Sequence, residues 1–560
     1  MKKLVPFIFC FILFTQVAKG QSTHAILDRD YYHLIERYEI LSGEMSPYFH
    51  SHIKPIQRQN IAAFADTIIS QEIALNKIDV FNLNYLASDN WEWGKKADND
   101  AKRPIWNTFY RKKSDLYHVD VKDFDLHVNP IIHFNVGKET ASDVLTYSNT
   151  RGISIRGTIA KRLGFYTWIT ENQEVLPSYV REYQEQNGVI PGQGFWKSFG
   201  DNGYDYFNAK GGISFDFIPE YINFQVGFDK QFIGNGYRST VVSDFSNNYF
   251  YARINTRIWK INYTNLFTQL ISDVNAGPTG TTNGDYPVKF LAHHHLSVNI
   301  GKNLNIGLFE SVVLGDSTGN SFDVAYLNPI IFYRALEHQR GSASNILVGL
   351  DWKWNFLSHF SFYGQLTLDE FYLKELTSGE GWWANKFATQ LGLKYINAFG
   401  IENFDVMGEY NFARPYMYQH FDQYTNYAHY RMPLAHPYGA NFTEFVARFV
   451  AQPWPKFTVS GTAILSNYGT DEADSINWGK EVMKSYIDRQ QDYNNEIGQG
   501  LSTNFTYADL TLSYQIMHNM FIDVRGVYRD VVNEQAARNR NTTHLSLGFR
   551  WNMARATYDF

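Results

Sequence analysis

The 560-residue chain carries a formal charge of −6, 17% aromatic residues and a single cysteine. A mildly acidic chain without basic runs has no electrostatic footprint for nucleic acid. Cys10 lies within the N-terminal apolar run, so the chain beyond it has neither disulfides nor a thiol nucleophile.

Lys2 and Lys3, an apolar run from Leu4 to Phe14, and the small residues Ala18 and Gly20 before Gln21 form a secretory signal over 1–20. A short transmembrane anchor is the competing reading, but the run is short and ends on a cleavage-type site. Without Lys2, Lys3 and Lys19 the formal charge falls from −6 to −9. Past Gly20 no stretch approaches the length of an apolar transmembrane helix. Residues 21–122 read as a small helical region: Ile61, Phe64, Ala65 and Ile68 recur at helical spacing after Pro55, and a second candidate runs near Lys77–Leu86. A loosely ordered leader is the alternative.

From about residue 124 the pattern changes to period two. Phe124, Leu126, Val128, Pro130, Ile132, Phe134 and Val136 alternate with Asp125, His127, Asn129, His133 and Asn135, with Ile131 the one apolar exception. About ten such residues suffice for a tilted strand to cross the hydrocarbon layer. The pattern recurs in Ile346–Asn355, Phe404–Phe412, Leu510–Ile516 and His544–Trp551. It predicts eighteen strands, at 124–137, 150–160, 164–173, 210–217, 221–231, 248–258, 260–271, 288–300, 304–314, 345–355, 360–371, 386–396, 402–413, 442–452, 456–466, 505–516, 520–530 and 542–552. The connection after every even strand is short, and the one after every odd strand is longer and polar, most of all at 174–209, 315–344, 414–441 and 467–504. Short turns on one side and long loops on the other mark an all-β transmembrane fold, an outer-membrane antiparallel barrel over 123–560. The helical region 21–122 then lies in the periplasm, below or inside the barrel. The long loops lie at the cell surface, and lipid covers the outer face.

Two details stand out. Phe560 reads as a terminal aromatic just after the last strand, of the kind barrel-insertion machinery recognises. In 288–300 the apolar register puts His294 toward lipid, which fits badly.

The search for chemistry yields no catalytic residues and no cofactor. Ser, His and Asp are plentiful but sit in no spaced signature. His293 and His295 share a strand face, where a metal pair is geometrically feasible, but no third ligand is positioned by sequence and a wet lumen face explains them; no metal is assigned. The long loops are rich in aromatics and amides. Trp196, Tyr204, Trp382, Trp383, Tyr416 and Tyr418 are the candidates for stacking against sugar rings. The alternative is that they form the upper membrane girdle or pack the loops together.

Two stretches bear a resemblance. Phe228–Tyr251, with Gly234, Gly236, Tyr237, Arg238, Ser239, Ser243 and Asp244, is similar to the glycine-centred stretch of the Wzi-like capsule assembly proteins. Phe309, Glu310, Tyr326, Leu327, Asn328, Pro329, Phe332, Tyr333, Arg334, Glu337, Gly341, Ser342 and Asn345 resemble the corresponding stretch of the RemB gliding motility proteins of Bacteroidetes. Tyr32, Leu34, Arg37 and Pro55–Asp66 resemble the helical leader of the same group. The resemblance implies an eighteen-stranded barrel acting in capsule or exopolysaccharide attachment or in gliding, with surface polysaccharide and gliding-machinery proteins as partners. It implies no catalytic residue. The chain is thus expected to be a non-enzymatic surface barrel. Asn328–Pro329 should start a turn and Arg334 can pair with Glu337 at helical spacing, polar groups that suit a loop folded into the lumen, so loop 315–344 is expected to plug the barrel; the alternative is a channel or transporter for small solutes.

Overall fold

A computed structural model describes residues 22–71, 73–94, 99–272, 287–315, 323–330, 332–333, 335 and 344–560. The signal predicted at 1–20 lies outside them.

Eighteen long strands close into one antiparallel barrel. They are β1 Phe124–Glu139, β2 Thr146–Ile159, β3 Leu163–Val175, β4 Gly203–Ile218, β5 Ile222–Asp229 and β6 Tyr249–Ile258. Next come β7 Ile261–Ile271, β8 Val288–Ile300, β9 Leu304–Leu314, β10 Asn345–Phe356, β11 Phe360–Leu368 and β12 Phe387–Tyr395. The circuit ends with β13 Phe404–Ala413, β14 Phe442–Trp454, β15 Phe457–Thr470, β16 Leu501–Met517, β17 Met520–Asn533 and β18 Arg540–Trp551. β18 pairs with β1, His544 opposite Glu139 through Trp551 opposite Ile132, and closes the ring. Each strand matches one predicted segment. The largest departure is the start of β4, predicted at 210 and found at Gly203, where the strand outruns the apolar belt and period two no longer shows. A short strand, Tyr117–Val121, was not foreseen; it pairs with Phe124–Val128 below the β18 seam.

The alternation sorts side chains by face. On β10, Ile346, Val348, Leu350, Trp352 and Trp354 point outward, while Asn345, Asp351, Lys353 and Asn355 are buried in the lumen. The outer wall is an apolar belt of exposed residues such as Phe134, Leu308, Tyr410, Leu465 and Leu547. Aromatics crowd its short-turn rim, among them Phe217, Tyr221, Trp259, Phe399 and Trp454.

The lumen is filled from both ends. At the short-turn end sit three helices, α1 Arg29–Ser42, α2 Arg58–Ser70 and α3 Lys77–Asp89, with their own core of Ile35, Tyr38, Ile61, Phe64, Leu83 and Leu86. Asp28 caps α1 and Asn76 caps α3 in a capping box with Asp79. Charged pairs tie this plug to the wall. Glu36 meets Lys394 at 2.6 Å, Asp30 meets Arg448 at 2.9 Å, Glu39 pairs with Lys353, and Arg37 pairs with Asp405. Burial opposes the charge on Glu36, but Lys394 and Lys54 overcome it and hold the carboxyl well below its usual range.

At the long-loop end, segments 230–248 and 414–441 drop into the lumen. Tyr237, Val241, Val242, Met417, Tyr418, Tyr427, Leu434 and Tyr438 pack there in one buried cluster. Residues 552–560 also turn back inside. Phe560, read as a terminal aromatic just after the last strand, packs inside the lumen against Tyr183 and Phe245, and Asp559 reaches Arg238 at 3.1 Å. The lumen offers that ring an apolar cluster, whereas the strand ends at Trp551. Voids of about 160 and 210 Å³ remain between plug, tail and wall.

Loop 315–344 departs from expectation. Its described residues lie on the outer wall, not in the lumen. Tyr326 and Tyr333 cover Ala292, Val312, Leu314 and Ile346. His294 does point outward, and Tyr333 caps it: the rings lie 4.1 Å apart and the hydroxyl is bonded to His294 Nε2. Tyr333 N also donates to Glu310 at 2.8 Å. Two polar groups facing lipid would be costly unpartnered, and this loop supplies the partners.

Candidate functional site

The six aromatics singled out in the sequence separate into two kinds. Tyr416, Tyr418 and Tyr204 are buried and serve the architecture. The Tyr418 hydroxyl donates to Thr240 O at 2.7 Å and its ring stacks on Tyr427; Tyr416 donates to Asn477 O at 3.2 Å. Tyr204 is packed edge-on by Trp196 at 4.8 Å, and Trp196 is half-buried over loop 176–202. Trp382 and Trp383 differ, because each keeps part of its ring open at the long-loop end.

Around these two tryptophans the loops build a continuous aromatic ridge. Tyr372 and Trp382 lie 6.0 Å apart, Trp382 and Trp383 6.2 Å, Trp383 and Tyr486 4.8 Å, and Tyr486 and Phe421 6.4 Å. Tyr372 is 53% and Phe421 42% exposed, so the ridge presents faces as well as edges. Its members come from loops 369–386, 414–441 and 471–500. Tyr372, Phe421 and Tyr486 were missed because loop composition offers many aromatics and does not say which of them three distant loops bring side by side.

The ridge is held rigidly. Backbone bonds zip two of its loops together: Trp383 N to Asp492 O, Asn494 N to Glu380 O, and Asn495 N to Gly381 O, at 2.8–2.9 Å. Gly381 has a φ of +65°, and a Cβ there would lie 2.8 Å from Asn495 N, so the close approach requires glycine. Below, Lys386 is fully buried between Asp369 at 3.0 Å and Glu370 at 3.5 Å, with the Tyr486 ring over its ammonium. Burial, reinforced by Glu370, raises the Asp369 carboxyl to about 6 in spite of Lys386. Tyr416 stands beneath Trp383, edge-on at 6.4 Å.

Polar groups rim the ridge. The Arg489 guanidinium lies 4.2 Å over the Trp383 ring and is oriented by Asp492 at 2.6 Å and by Tyr486 O at 3.2 Å. Exposed Gln490 and Asn494 lie beside it. Aromatic faces bordered by amides and a fixed fork of donors suit a ligand with C–H faces and hydroxyl or carboxylate edges.

The family-stretch residues do not join this site. Asn328 accepts from Ile330 N in the loop on the outer wall, and the Tyr326 carbonyl accepts from Tyr333. Asn345 is buried in the lumen, where it donates to Thr425 O. Arg334, Glu337 and Ser342 lie outside the described residues. The histidine pair is likewise elsewhere: both rings are buried, His295 against His52 of the plug and His293 bonded to Ser311 on the wall.

Neither a protein-family model nor a curated protein matches the sequence. Solved structures do resemble the fold. Two structures of OprD, an outer membrane protein of Pseudomonas aeruginosa, share 10% identity over 76–77% of this chain and 93–95% of theirs, with TM-scores of 0.41–0.42. Wzi of Escherichia coli, described as a carbohydrate-binding β-barrel of the outer membrane involved in group 1 capsule assembly, shares 12% identity over 95% of this chain and 100% of its own, with a TM-score of 0.56. The chain therefore has the fold of an outer-membrane β-barrel and resembles Wzi along nearly its whole length.

Proposed function

We propose that the protein is a non-enzymatic outer-membrane barrel that holds polysaccharide at the cell surface on the ridge Tyr372–Trp382–Trp383–Tyr486–Phe421. The observation that carries this reading is a partly open aromatic row, on loops zipped to each other, above a lumen packed shut. A solute channel needs a continuous wet path, whereas a binding platform needs a rigid floor. The likeness to a carbohydrate-binding barrel of capsule assembly supports the same reading. The long loops then face outward from the cell and the plug faces the periplasm.

Titrating the purified protein in detergent with capsular polysaccharide from the same cells, and following tryptophan fluorescence, tests this. Trp383→Ala and Tyr486→Ala are each expected to weaken binding about tenfold or more, the loss of ~1.4 kcal/mol or more typical of a central aromatic anchor. Trp354→Ala, on the lipid-facing belt, is expected to change nothing. Equal affinity in all four proteins, or no binding by wild type, overturns the proposal.

A further inference from the structure

His52, His295 and Asp351 meet where the plug touches the wall. His52 lies on the segment between α1 and α2, His295 on β8 and Asp351 on β10, and each is at most 1% exposed. One ligand atom from each lies within 4.8 Å of the other two. The His52 and His295 rings are 4.4 Å apart, and His295 Nε2 meets Asp351 Oδ2. Three buried atoms of this group make no hydrogen bond: His52 Nε2, His295 Nδ1 and Asp351 Oδ1. His293 Nε2, on the same face of β8, is a fourth.

The local charge is unbalanced in an informative way. Lys353 is matched by Glu39, while Lys54 and Lys394 share Glu36. Among the described ion pairs Asp351 has only His295, which is charged only if protonated. A carboxylate at zero exposure needs a positive partner, and bare imidazole nitrogens need something to bind. A proton on His295 meets the first need and leaves His52 Nε2 empty. A divalent metal ion meets both.

We propose that His52, His295 and Asp351 bind a divalent transition-metal ion, zinc by the chemistry of two imidazoles and one carboxylate, and that the ion staples the plug to the barrel wall. Tetrahedral zinc with bonds of about 2.0–2.1 Å sets its ligand atoms about 3.3 Å apart, so His295 and Asp351, already in contact, part slightly while His52 closes in, each by a side-chain adjustment. A water completes the shell. Two ligands belong to the wall and one to the plug, so binding favours the plugged state and stabilises it by mass action. A cavity of about 410 Å³ lined by Tyr48, His50, Glu220 and Arg257 opens among the short turns, and the His50 ring on its wall is 5.9 Å from His52. It offers the ion a route in.

The test uses the full chain without a polyhistidine tag, purified in detergent, stripped by chelator and titrated with zinc and separately with cobalt(II). Wild type is expected to retain one zinc per chain through gel filtration, to show the visible absorption of tetrahedral cobalt, and to resist protease cleavage of the plug at least tenfold longer with zinc than without. His52→Ala and Asp351→Asn should lose all three properties, and His50→Ala should keep them. Substoichiometric zinc with no cobalt spectrum in wild type overturns the proposal, whether or not the variants fold. Stoichiometric metal that His52→Ala retains overturns it equally.

Discussion

Arg238→Met should be the most damaging single substitution in the lumen, lowering stability by about 3–5 kcal/mol, the cost typical of breaking a buried ion pair from one side. Arg238 hangs from segment 230–248 at 3% exposure, and its guanidinium is fully engaged. Nε and Nη2 reach Glu444 at 3.2 and 2.9 Å; Nη1 reaches Asp559 Oδ1 at 3.1 Å and Nη2 the Asp559 carbonyl at 2.7 Å. Burial works against the charge on Asp559, but Arg238 and Arg29 together hold its carboxyl well below the usual range. Methionine keeps the volume and leaves two buried carboxylates short of a cation. His436 at 2.8 Å from Glu444 and Arg29 at 3.3 Å from Asp559 bound the loss from above. Urea unfolding in detergent measures it, and Arg238→Met combined with Glu444→Gln should recover part of it. A loss below about 1 kcal/mol would show that other groups balance these acids.

The second large effect is on conductance. An unfilled barrel of sixteen to eighteen strands leaves an aqueous channel. Here the plug closes the short-turn end, while segments 230–248, 414–441 and 552–560 close the other. Wild type in planar bilayers should show no large, steady conductance. Two seals in series also predict that removing one is not enough. Shortening 230–248 and 414–441 and removing 552–560 should leave the current near zero, and so should deleting 22–94 alone; all these changes together should open a steady pore. A steady wild-type conductance of porin size would favour the alternative, a channel or transporter for small solutes.

The wall was legible in the sequence because its rule is local. Outward Ile346, Val348 and Leu350 against inward Asp351 and Lys353 follow from lipid on one side and a polar plug on the other, and each strand carries this record alone. The parity of short and long connections was legible for the same reason. What fills the barrel was not. Glu39 and Lys353 lie 314 positions apart, and His52 meets His295 only after the ring has closed around the plug. Tyr418 and Trp383 look alike in the sequence as aromatics in polar loops; one became floor and the other surface, according to how three distant loops stack. Loop 315–344 misled because its polar residues read as lumen groups. In fact Tyr333 serves His294 and Glu310 on the outer wall, the misfit that the strand pattern had already flagged at His294.

Retention of surface polysaccharide, the role proposed for the ridge, is separable from surface spreading by phenotype. A deletion strain is complemented with wild type or with Trp382→Ala/Trp383→Ala/Tyr486→Ala at matched barrel levels, and polysaccharide retained on washed cells is measured beside colony spreading. Wild type is expected to restore retention, and the triple variant, folded and inserted, is expected not to. Full retention by the triple variant, or retention unaffected by the deletion itself, would contradict the role proposed for the ridge.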